Sequence, residues 1–117
     1  MRSDTLIKTF TAPAAVAAYT LVTFAAGANT VETADAVADP ILGVTDRVGS
    51  QDNGRCDVIM AGVAEVRIGG TVTRGDVLTT DASGRAILAT AGTDRVLGIA
   101  IADAVVDDIA AVLIAQG

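Results

Sequence analysis

Gly75-Asp76-Val77-Leu78-Thr79-Thr80-Asp81-Ala82-Ser83-Gly84-Arg85-Ala86-Ile87-Leu88 sets two short apolar runs on either side of a four-residue cluster of turn formers. Asp81 can accept backbone N–H groups to start a turn, and Gly84 can take the positive φ that closes a type I turn with a bulge. The stretch therefore predicts a β-hairpin. Working outward, the same punctuation recurs every eight to twelve residues or so, with Val, Ile and Thr runs bounded by Gly, Asp and Asn, the spacing of a sandwich or barrel. Strands are expected at 6–11, 19–24, 41–46, 57–60, 64–68, 77–80, 85–89, 96–102 and 109–114. In 64–68, Ala64, Val66 and Ile68 alternate with Glu65 and Arg67, which predicts one buried and one wet face. The last two runs are continuously apolar, so both of their faces should be covered. Segments 34–38 and 104–108 could each form a turn or a short helix.

Asp39-Pro40-Ile41-Leu42-Gly43-Val44 recurs as Asp94-Arg95-Val96-Leu97-Gly98-Ile99, and each copy leads to a further apolar strand, Val58-Ile59-Met60-Ala61 and Val112-Leu113-Ile114-Ala115. Gly43 and Gly98 interrupt strands in equivalent places, where a bulge or a close backbone approach tolerates only a missing side chain. Two similar half-domains would explain the recurrence, and so would chance in a chain rich in Val and Ala.

With 117 residues the chain is one domain by length. Hydrophobic residues make up 51% of it but aromatics only 3%, so its core must be assembled from Ala, Val, Ile and Leu, each burying little area. Such a core gains from burial against another subunit. The net charge of −6 opposes binding to a phosphate backbone, which draws its affinity from Lys and Arg, so no nucleic-acid partner is expected. The lone Cys56 cannot form an internal disulfide and reads as a buried thiol. No charge occurs from Thr9 to Val31, but the Thr residues, Asn29, Pro13 and Gly27 there argue against a membrane span. Arg2 and Lys8 ahead of Ala26-Gly27-Ala28 have the layout of a secretory signal, and the segment is expected to remain in the mature protein. Residues 1–25 read as an N-terminal arm or edge strands, and 26–117 as a β-barrel body with two similar halves.

Chemistry is sparse. The chain has no His, the commonest general base and the usual partner of a Ser or Cys nucleophile. Ser50 and Ser83 lie in turn-like contexts without a nucleophile elbow, while Asp103, Asp107 and Asp108 read as solvated turn acids. The Asp81 to Gly84 cluster lacks the alternating oxygen ligands and distal Glu of a calcium loop. Gly69-Gly70 and Gly98 form neither a dinucleotide fingerprint nor a P-loop. No catalytic residues, cofactor or metal are expected. Of the arginines spread singly among acids, Arg67 and Arg85 are the first candidates to cross a subunit boundary, where Arg is enriched.

Taken together, Gly75, Asp76, Asp81, Gly84 and Arg85 of the hairpin, the run Leu97-Gly98-Ile99-Ala100 and the apolar C-terminal strand give residues 30–117 a family likeness. The chain resembles the capsid cement or head decoration proteins of tailed phages. The resemblance implies a non-enzymatic, all-β domain, a small β-barrel or β-tulip or sandwich with an extended N-terminal arm. It further implies trimers, or else dimers, on the outer surface of the virion shell, bound to the major capsid protein. The arm, apolar and nearly uncharged, suits strand addition to another protein's sheet edge, with Phe10, Tyr19, Leu21 and Phe24 as anchors. The rival is a β-clip module binding a small molecule or glycan. Glycan sites need exposed aromatics, and Phe10, Tyr19 and Phe24 all lie near the N-terminus.

Overall fold

A computed structural model describes residues 6–36, 40–90 and 95–114, and all statements below concern these residues. The architecture is all-β, as the sequence pattern implies, with no helix in the described chain. Nine strands are formed: β1 (Leu6–Ala12), β2 (Leu21–Phe24), β3 (Val31–Thr33), β4 (Gly43–Thr45), β5 (Gly54–Arg67), β6 (Val77–Thr80), β7 (Ala86–Leu88), β8 (Gly98–Ala100) and β9 (Ile109–Ile114). They make one curled antiparallel sheet in the order β3-β2-β4-β5-β9-β8-β6-β7, with β1 added to β5. The quoted hairpin is β6–β7, and Gly84 has φ +74° as its turn chemistry demands.

The centre of the design is β5, fourteen residues long, which the sequence shows as two strands separated by Ala61-Gly62-Val63. Its first part pairs with β1 and β4. Its last part pairs with β9. Gly62, at φ +95°, lets the strand turn between its two sets of partners without breaking.

Around this shared strand the pairing pattern is written twice. The first half runs β1, β5, β4, β2, β3, and the second runs β5, β9, β8, β6, β7 in the same antiparallel succession. A parallel bridge joins the ends of each curl, Thr11 to Thr30 in the first and Ile68 to Ala86 in the second. An antiparallel bridge spans the following loops in each, Val16 to Ser50 and Val72 to Ala104. The left-handed backbone positions recur too, with Tyr19 (φ +58°) matching Gly75 (φ +95°) and Asn53 (φ +58°) matching Asp107 (φ +69°).

Residues 6–24 are not a separate arm. β1 pairs with β5 along its whole length and β2 lies inside the sheet between β3 and β4. Its Thr20 is bonded within the chain, the hydroxyl donating to the Ala18 carbonyl at 3.1 Å. Thr45 Oγ1 accepts from the Thr20 N–H at 2.9 Å and donates to the Ala17 carbonyl at 2.8 Å, so two buried threonines stitch the loop before β2 to β4.

Two apolar clusters result. Phe10, Ala12, Val16, Val22, Val31, Cys56 and Val58 fill the first curl. Val66, Ile68, Val72, Leu78, Ala86 and Val112 of the second curl belong to a larger cluster that also takes in Leu21, Ala34, Ile41 and Val44 of the first half. The expected turn at 34–38 lies partly outside the described residues, and 104–108 forms a turn with Ala104 buried at its bridge.

Candidate interaction surfaces

The acidic residues of the second half work as turn caps. Asp81 accepts from the N–H groups of Ser83 and Arg85 at 2.8 Å each, and its other oxygen takes the Arg85 Nε at 2.8 Å. Arg85 reaches on to Asp107 at 3.3 Å. Asp103 accepts from the Arg74 N–H, and Asp108 from the Val105 N–H. Among the described residues no three His, Cys, Asp or Glu side chains gather as metal ligands would. Cys56 is fully buried, and burial pushes its thiol pKa up, against a lowering hydrogen bond from Ser50 and with further raising by Asp46 and Asp57.

Of the four expected anchors, Phe10 and Leu21 are core residues. Phe10 fills the first curl, and Leu21 sits at zero exposure in the larger cluster. They cannot reach a partner unless the sheet opens, because the segment that carries them is structural. Tyr19 is half-buried at the side of an open groove of about 480 Å³ with Thr45, Asp46, Arg47, Ile59, Val63, Ala64 and Glu65. Phe24 is 58% exposed at the end of β2. Of the two arginines considered for a subunit boundary, Arg67 is exposed on β5, while Arg85 is held by Asp81 within its own turn and is engaged before any partner arrives.

What the sequence does not reveal is a row of apolar residues crossing four strands. Val63, Leu113, Ile99 and Val77 stand directly opposite one another along β5, β9, β8 and β6, so their side chains share one face. Val63 is 50% exposed, Val77 41% and Leu113 36%, and Ile101 at 41% lies one step along the same face. The exposed end of β1 adds Leu6 and Ile7. The apolar runs 96–102 and 109–114, expected to be covered on both faces, are thus covered on one only. The alternation in these strands is hidden by apolar residues on both sides, which is why composition alone cannot show which face is bare.

Fold and surface together define a small, curled antiparallel β domain that exposes apolar surface among the described residues. No family model matches the sequence, and no curated protein matches it. Among solved structures, the chain is similar to the N base of head fiber gp8.5 in bacteriophage phi29, at a TM-score of 0.77 and 22% sequence identity, over 96% of this chain and 95% of that one. At that identity the likeness is one of fold.

No described helix is long and apolar enough to cross a membrane.

Proposed function

We propose that this chain is a structural component of a phage virion, without catalytic activity, that attaches to the outer surface of the head through the major capsid protein. The observation that carries the reading is the near end-to-end correspondence with a head fiber base, in which the whole of this fold finds a counterpart rather than one motif of it. The residue-level resemblance to capsid cement and head decoration proteins points the same way. The acidic body suits an exposed particle surface, where like charge limits aggregation.

Attachment uses the exposed end of β1, where Leu6 and Ile7 are 56% and 54% exposed beside Lys8. Before the Thr11–Thr30 bridge, β1 pairs with β5 alone among the described residues, so the other edge of this end is open to strand addition and the exposed side chains supply apolar contact. A trimer is the expected assembled form. The test is co-sedimentation of the purified chain with heads of the parent phage that lack it. Wild-type protein should pellet with the heads, and Leu6→Asp/Ile7→Asp should stay in the supernatant while keeping its β-rich circular dichroism spectrum. Equal pelleting of the double variant refutes attachment through β1, and failure of the wild-type chain to pellet refutes the capsid reading.

A further inference from the structure

The two halves of this chain are joined by an interface of which each side exists twice. In the first half, Ile7, Ile59, Val44 and Leu21 stand opposite one another across β1, β5, β4 and β2, as Val63, Leu113, Ile99 and Val77 do in the second. Leu21 and Val44 are fully buried, and Ile59 packs against their cluster, whose other members come largely from the second half. The matching residues Val77, Ile99 and Leu113 have no such cover. The same row of positions is therefore an interface in one half and bare surface in the other.

The covering element is also duplicated. The tip of the β6–β7 hairpin seats on the first half, where the Leu21 N–H donates to the Gly84 carbonyl at 2.8 Å and Thr80 Oγ1 approaches the Ala34 carbonyl at 3.5 Å. Its counterpart is the β2–β3 hairpin tip, residues 25–30, in which Asn29 (φ +57°) stands where Gly84 stands, while Phe24 at the end of β2 stands where Thr80 does at the end of β6. This second tip is exposed from 26 to 29 and carries no charge from Phe24 to Val31. Ala34, which the first tip helps bury completely, corresponds to Ala89, which is only half-buried; each donates its N–H back to the strand beside it, Ala34 to Leu21 and Ala89 to Val77.

The geometry points to head-to-tail self-association, in which the β2–β3 hairpin tip of a second copy of this chain covers the Val63, Leu113, Ile99 and Val77 row as the β6–β7 tip covers its equivalent within one chain. The occupant is a second copy because the counterpart of the covering tip is already present in the chain: β1 holds one side of it through the Thr11 N–H to Asn29 carbonyl bond, residues 26–29 remain exposed and uncharged, and Phe24, the one exposed aromatic, falls opposite Ala89. Phe24 is then an anchor between copies. Such an interface is heterologous, joining unlike patches, and continues from copy to copy until it closes. It stands on the duplicated geometry alone and does not depend on the proposed place in a virion.

The test uses the full chain in solution. Light scattering and native mass spectrometry at tens of micromolar should show a multimer, and Val77→Asp, which places an unpaired charge at the contact, should weaken association roughly a hundredfold. Val77 is exposed in the single chain, so the variant should keep its β-rich circular dichroism spectrum. Direction is read by oxidising Phe24→Cys/Ala89→Cys, the native Cys56 being buried. Covalent multimers from the double variant, with none from either single variant, support the head-to-tail arrangement. A monomeric wild-type chain, unaltered association in Val77→Asp, or disulfide dimers from Ala89→Cys alone each overturn it.

Discussion

Gly84→Ala measures how tightly the two halves are seated. Gly84 has φ +74°, so any side chain there meets the left-handed backbone penalty of about 1 kcal/mol. The larger cost is steric. A Cβ on Gly84 would lie 2.5 Å from Thr20 Cγ2, 2.7 Å from Thr33 Cγ2 and 3.1 Å from the Leu21 carbonyl oxygen, all belonging to the other half. The two methyls can move only by disturbing a buried, hydrogen-bonded Thr20 and the end of β3, so overpacking adds about 1 to 3 kcal/mol. The expected loss is about 3 kcal/mol, a large share of the order of 10 kcal/mol that a domain of this length commands. Gly75→Ala is the control, since Gly75 has φ +95° with nothing within 4 Å of its added Cβ. It carries the backbone penalty alone, about 1 kcal/mol. Urea unfolding followed by circular dichroism reads both, and the Gly84 variant should lose about three times the free energy of the Gly75 variant at an unchanged m-value. Equal losses would mean that the hairpin tip is not pressed into the first half, and would undo the argument that the halves share a packed interface.

Three further outcomes follow from the packing. Gly43→Ala should abolish soluble expression, or cost more than Gly84→Ala, because its Cβ would run into the Ile59 carbonyl and lie 2.8 Å from Val58 Cγ1, backbone and core that cannot yield. Thr79→Val should raise the urea midpoint by about 1 kcal/mol of stability, since Thr79 Oγ1 is buried without a hydrogen-bond partner and the substitution removes an unpaid desolvation cost; a fall in stability would show that the hydroxyl is bonded. For Cys56, the folded pKa lies above the ordinary value of 9.0, so the thiol's contribution is fully present below pH 9 and is lost as pH rises through the folded value. Unfolding midpoints should therefore drop as pH rises above 9.0, and Cys56→Ala should remove part of the drop; an identical pH profile in the variant would rule Cys56 out as its source.

What could be read from the sequence is what local chemistry decides. Asp81 and Gly84 fix a turn regardless of the rest of the molecule, and the 77–80 run, the 109–114 run and the alternation at 64–68 appear as the sequence writes them. β3 escaped because three residues, Val31-Glu32-Thr33, are too few to show a period, and its strand character comes from pairing with β2. β5 appeared as two strands because Gly62 punctuates it, and only the fold reveals that both sides of the glycine must stay extended to serve two halves. The N-terminal segment was harder still. Its apolar, nearly uncharged character suits an arm that adds to another protein's sheet, yet Phe10, Thr20, Leu21 and Thr23 are buried within the chain's own sheet, a distinction set by partners far away in the chain. The recurrence at 39–44 and 94–99 falls on and before β4 and β8, with Asp39 and Asp94 outside the described residues. The bare apolar row is a property of the assembled sheet, since Val63 and Leu113 become neighbours only through the β5–β9 register.

The poverty in aromatics acquires a physical reason from the two curls. Each encloses a small interior, and matching positions divide its volume differently: Phe10 and Ala12 of β1 stand where Val66 and Ile68 stand in the second half, and Val22 stands where Leu78 does. A large residue in one place is offset by a small one beside it, as close packing requires when total volume is fixed. With interiors built this way, stability comes from many small side chains and from covering the outer rows. The first half obtains that cover from the second. The second half has a row of the same kind and no further half in the described chain to cover it, and this inequality, rather than any reactive group, is where the molecule is chemically unfinished.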